Sequence, residues 1–174
     1  MIATKIIASQ LNKPVNGVIK VGKSEASASF TISLTPKLEV SPLATFDYPV
    51  GLTKQPSQAI ALPYRESFVF TGRDVESWVL AIDVLNLPEG QLSLSSSYTL
   101  RKNNPNIYQE NNINIASQSV IVMTDKSAGG FSKVAYLVHG SLLATVSLVG
   151  DDTTGTQPLQ TAFNLVLNSW HWTE

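Results

Sequence analysis

Only two side chains in this sequence, His139 and His171, are built to exchange a proton near neutral pH. A serine nucleophile needs such a base oriented by a carboxylate and aimed at the hydroxyl. His139 instead sits inside an apolar run, YLVHGSLL, and the Gly140-Ser141 that follows is not a Gly-x-Ser-x-Gly elbow. His171 is set between two tryptophans. Both read as structural histidines. Asp74, Glu76 and Asp83 are isolated acids in strand-like surroundings. Asp151-Asp152-Thr153-Thr154 lacks the alternating acids and closing glutamate of a calcium loop. With no cysteine and two distant histidines, zinc-ligand spacings are absent. The glycines are scattered as turn residues and cradle no phosphate. The sequence therefore predicts no enzyme, no metal and no cofactor.

Trp170-His171-Trp172 is the cluster that looks most functional. On a strand, Trp170 and Trp172 would share one face and His171 the other. Exposed, such a pair stacks a sugar ring or a base; buried, it closes a core or wedges into a neighbouring subunit. Trp170 and Trp172, with Val79 and Val166 on outward strand faces, are the candidate ligand or subunit contacts. Lys5, Lys13, Lys20 and Lys23 stand without an acid among the first 24 residues, and no Lys or Arg follows Lys133. Those four lysines are the candidate polyanion contact. With only three arginines in the chain, nucleic-acid binding is expected to be weak and non-specific at most.

The elements that must carry these residues are strands. Ala26 to Leu34 alternates apolar and hydroxyl residues, as do Leu92 to Leu100. Phe68 and Phe70 share one side of Glu66–Gly72; Trp78, Leu80, Ile82 and Val84 share a face opposite Val79, Ala81 and Leu85. Leu87-Pro88-Glu89-Gly90 is a turn, and residues 101–112 form a polar loop. Prolines at 36, 42, 49, 56 and 63 mark a connecting segment over 36–63. Phe30, Ile32, Leu34, Leu80, Ile82, Leu94, Val138, Leu165 and Leu167 are the expected core. The runs at 77–86, 132–149 and 159–172 are apolar on both faces. A sandwich needs only one oily face per strand, so these must be covered twice, by their own chain or by a neighbouring copy.

At 174 residues the chain reads as a single domain, 1–174, with 1–24 an N-terminal arm. The expected fold is all-β, an antiparallel β-sandwich of jelly-roll or Greek-key topology, without helix. Charged residues are 14% of the chain against about 25% in a typical domain, and Ser and Thr make up about a fifth. Hydroxyls cost less to desolvate than ions, which suits a surface that touches other proteins. No stretch approaches a membrane span or a signal-peptide core, so the expected place is a virion or the cytoplasm of the producing cell. The function these features favour is a structural, self-assembling virion component: a capsid, decoration or tail-associated subunit acting as a homo-oligomer. Its partners would be copies of itself and other virion proteins. The alternative is a non-catalytic ligand-binding module, a lectin or surface-adhesion domain.

Overall fold

The computed structural model describes residues 15–21, 24–30, 36–56, 64–72, 78–115, 118–151 and 156–173. Its centre is a hairpin of β10 (Phe131–His139) and β11 (Leu142–Gly150), paired from Phe131 opposite Gly150 to His139 opposite Leu142. The two-residue turn puts Gly140 at a φ of 54°, a left-handed conformation open to glycine at little cost. Leu142 to Val146 are buried at five consecutive positions, so both faces of β11 are covered.

Around this hairpin lies an antiparallel seven-stranded sheet of order β5-β6-β7-β11-β10-β9-β8. Its other members are β5 (Leu52–Lys54), β6 (Tyr64–Gly72), β7 (Val79–Asn86), β8 (Tyr108–Ile115) and β9 (Gln118–Asp125). β7 lies beside β11, while the chain leaving β7 crosses to the far edge before β8, β9, β10 and β11 return as a meander. That long crossover is the Greek-key element expected of such a chain. A second sheet of order β12-β4-β3 consists of β3 (Pro36–Val40), β4 (Ala44–Pro49) and β12 (His171–Trp172). β1 (Val15–Val21) and β2 (Ser24–Phe30) pair as a separate hairpin. The fold is β-rich and antiparallel throughout, as expected. The prolines punctuate it: Pro36 opens β3, Pro42 lies in the turn after it, and Pro49 closes β4.

Two segments expected to be strands are helices. α1 spans Ser96–Lys102 and α2 spans Thr156–Ser169. Leu159, Ala162, Phe163, Val166 and Leu167 recur at the i, i+3, i+4, i+7, i+8 spacing, and all are buried in the core that α2 shares with β4 and with the β10–β11 hairpin. A strand there would have sent half of them to water. For α1, the side chain of Ser95 accepts the Tyr98 N–H at 3.3 Å, an N-cap that starts a helix inside the Leu/Ser alternation. Leu94, expected in the core, ends a 3-10 turn and is 58% exposed. Leu80, Ile82, Leu165 and Leu167 are buried as expected and Val138 is half-buried. Ile32 and Leu34, with the side chain of Phe30, lie outside the described residues.

These elements cover the hairpin twice. α2 and the three-stranded sheet close the inner face, with Phe46 packed edge-on to Phe68 and Phe70, and Phe163 edge-on to Phe131. Leu87, Leu92 and Tyr98 of the β7–β8 crossover meet Met123, Val134, Tyr136 and Leu143 on the outer face. At Val134, Tyr136 and Leu143 on the outer face, as along the inner one, the cover comes from the chain itself. Truncating Phe163 to alanine should therefore cost about 3–5 kcal/mol in denaturant melts. Leu100→Ala, on the exposed side of α1, should stay within about 0.5 kcal/mol. A Phe163→Ala cost as small as that of Leu100→Ala would show that α2 does not close the core.

Candidate functional site

α2 ends where Ser169 Oγ accepts the Asp47 N–H at 2.7 Å and lies 2.7 Å from the Leu165 carbonyl oxygen. Trp170 then leaves the helix, and His171–Trp172 pairs with Thr45 and Ala44 as β12. Trp170 is buried, stacked on Phe46 with ring centres 5.4 Å apart and planes at 8°. Trp172 is half-buried, edge-on to Trp170 at 5.3 Å, and His139 stacks on it at 5.5 Å and 17°. The result is an aromatic ladder from the core outward, not a paired platform for a ring-shaped ligand. Trp170 is withheld because the helix end, rather than a strand, sets its direction. The His139–Trp172 stack left no trace in the sequence, because it joins two elements that only the fold brings together.

The outer face carries a second cluster. Arg101 Nη1 donates to Ser97 Oγ at 2.7 Å and to Tyr136 Oη at 3.2 Å, while Ser97 Oγ and Tyr136 Oη lie 3.1 Å apart. The guanidinium also sits 5.6 Å over the Tyr108 ring. Burial pushes the Tyr136 hydroxyl above its ordinary pKa, partly offset by hydrogen bonds from Ser97 and the nearby charge of Arg101. This network pegs α1 to β10. On the same face Ser67 Oγ donates to Asp83 Oδ1 at 2.6 Å.

Below Ser67, Asp83 and Thr145 the outer face of β6, β7 and β11 is open among the described residues, while on β10 the cover still reaches Val134. Val79 and Val149 are directly paired and 41% and 46% exposed, with Val69 diagonally beside them at 38%. Thr71, Ala81, Ser132 and Ser147 fill the spaces between them. Among the described residues no charged side chain interrupts this face. Val79 thus lies in an open apolar surface. Val166, grouped with it from sequence as a contact, is fully buried, because on α2 it turns toward the sheet. Among the candidate lysines, Lys20 falls within β1. Lys5, Lys13 and Lys23 lie outside the described residues. No cluster of three metal-ligating side chains occurs among the described residues.

No family model matches the chain, and no curated protein sequence matches it. Its fold is similar to the solution structure of cyanobacterial PsbP (CyanoP) from Synechocystis sp. PCC 6803. The TM-score is 0.60 at 12% identity, over 88% of this chain and 98% of that one. A crystal structure from Bacteroides thetaiotaomicron VPI-5482 matches more loosely, with a TM-score of 0.46 at 11% identity, over 79% of this chain and 48% of that one. These findings correct the expectation of a self-assembling capsid, decoration or tail-associated virion subunit. The similarity is to a cyanobacterial protein, and the doubly apolar strands that suggested a homo-oligomer are covered by their own chain over most of their length, Val79 and Val149 excepted. The lectin alternative rested on Trp170, Trp172 and a polar loop over 101–112; the fold buries Trp170, and most of that loop is the end of α1 and the start of β8.

Two outcomes follow. Trp170→Ala should cost about 3–5 kcal/mol, as loss of a packed core aromatic; a cost under 1 kcal/mol would return Trp170 to the surface. Because the folded state holds the Tyr136 proton more tightly than the unfolded state does, stability should fall as pH rises past the ordinary tyrosine range. Tyr136→Phe should flatten that alkaline fall. An unchanged alkaline limb in the variant would contradict the burial of the hydroxyl.

Proposed function

We propose that this chain is a non-catalytic domain that docks onto another protein through the open half of its outer sheet face. The observation that carries the reading is the contiguous, uncharged surface of Val69, Val79 and Val149 set among small hydroxyl residues. Covering valines and hydroxyls strands no ion, so a partner gains apolar burial without the cost of desolvating a charge. The layout of the polar groups also speaks against hydrolysis. The Ser67–Asp83 pair lies on the outer face, whereas His139 stacks with Trp172 at the end of the inner one. Among the described residues two further serine–carboxylate pairs occur: Ser41 Oγ to Glu66 Oε2 at 2.7 Å belongs to β6, three strands from the β10 that bears His139, or roughly 14 Å at ordinary strand spacing, and Ser127 Oγ to Asp125 Oδ1 at 2.7 Å lies in the turn before β10, at the opposite end of that strand from His139. His171 is exposed on β12. Among the described residues no helix is long and apolar enough to cross a membrane.

Site-specific photo-crosslinking tests this reading. A benzoylphenylalanine placed at Val79 or Val149, irradiated in the cells that make the protein, should give adducts with a different protein. The same group at exposed Asn103 should give none. Val79→Lys should leave the chain folded and abolish the adduct formed from position 149. Equal labelling from Asn103, no adduct at all, or adducts only between copies of the chain would overturn the proposal.

A further inference from the structure

The two packed sheets have four edges, and three are protected against adding a strand. β5 is three residues long and β12 only two. β3 opens on Pro36, which has no N–H to offer; its Lys37 lies over the Tyr48 ring and its Glu39 is paired with Lys54. Short length, proline and inward-turned charge are the usual devices that keep edges from pairing. β8 is neither short nor opened by proline, and its one charged residue, Glu110, is paired with Lys102. It runs for eight residues, YQENNINI, without proline, lysine or arginine, and pairs with β9 without a bulge.

The pattern of hydrogen bonds shows which groups face outward. Lys126 N donates to the Ile107 carbonyl at 2.8 Å, so Ile107 turns its backbone toward β9. Tyr108 N turns the other way, to the Asn104 carbonyl at 2.9 Å. In an antiparallel ladder this alternates, so Gln109, Asn111, Ile113 and Ile115 bond to β9 while Glu110, Asn112 and Asn114 face outward. No described residue pairs with that outward edge. Gln109, Asn111, Asn112, Ile113 and Asn114 are all exposed.

We propose that β8 is a strand-addition site, taking an extended, uncharged segment of another protein as an eighth strand of the sheet. The backbone of Glu110, Asn112 and Asn114 supplies the pairing, and flanking side chains set the preference. On one face an incoming strand runs beside Ile113 and Ile115, which suits aliphatic, β-branched residues. On the other it runs beside Asn112 and Asn114, which suits hydroxyl or amide side chains. The one charged residue of β8, Glu110, is already paired with Lys102, so a charged segment would find no counter-ion. This surface is separate from the valine face and stands or falls independently of it.

The probe is a capped octapeptide alternating threonine and valine, with hydrogen exchange read at single amides by NMR. At millimolar peptide the amides of Glu110, Asn112 and Asn114 should slow by at least about tenfold, while those of Gln109, Asn111 and Ile113, already bonded to β9, should not change. Asn112→Pro removes an outward N–H and no bond to β9, so it should abolish the effect in a folded protein; Asn112→Ala should keep it. The same peptide N-methylated at alternate residues should have no effect, a control that does not depend on how any variant folds. Val79→Lys should leave the protection intact, which separates this test from that of the valine face. Unchanged exchange, equal protection by the N-methylated peptide, or protection that rises with protein concentration alone would overturn the proposal, the last by showing that copies pair with each other.

Discussion

A hairpin that is apolar on both faces cannot stand at the surface of a lone chain, and β10–β11 is such a hairpin. The layers packed on it can be understood as a response to that constraint. α2, β4 and the aromatic ladder from Phe46 to Trp172 close its inner face. The β7–β8 crossover, with its short helix, closes the outer face around Leu143, Tyr136 and Met123. The two roofs differ in reach. α2 is fourteen residues long and α1 only seven, so the outer roof stops short and leaves Val69, Val79 and Val149 open. The docking surface is the part of the sheet that the chain does not cover.

The scarcity of charge has a counterpart in how these layers are joined. Hydroxyls do the joining: Ser41 ties the turn before β4 to Glu66, Ser169 ties the end of α2 to β4, and Ser97 with Tyr136 ties α1 to β10. Each such bond contributes on the order of 1 kcal/mol and needs no buried ion. Close approaches matter as well. A side-chain carbon added at Gly150 would come within 2.7 Å of Leu159 and 3.2 Å of Trp78. The N-terminal part of α2 therefore sits directly on β11, and glycine is what allows it.

Much of this was legible in the residues. The faces of β6 and β7 follow from simple alternation, and the structure buries Phe68, Phe70, Trp78, Leu80, Ile82 and Val84 together. Residues 159–170 carried two signals at once. Leu159, Ala162, Phe163, Val166, Leu167 and Trp170 keep helical spacing, yet the same stretch is apolar enough to pass for a doubly buried strand. Length and the choice of face, which only packing decides, separate the two. Leu94 and Leu100 misled in the opposite way, since their alternation with serines imitates a half-buried strand while both stand exposed around a capped turn. The self-assembly reading failed at one step. A second apolar face demands a cover, and periodicity does not say whether the cover is the chain itself or a copy. The edge of β8 shows the same limit, because its composition becomes informative only once its position in the sheet is known.

Native-state hydrogen exchange at the backbone of β10 and β11 tests the double cover most directly. If both roofs belong to the chain, the amides of Val134–Leu137 and Leu143–Val146 should be among the slowest in the protein. They should exchange only through global unfolding, at rates independent of protein concentration and together with those of α2. Exchange of the hairpin through local opening, or protection that appears only as protein concentration rises, would show that a face of it is left uncovered by its own chain.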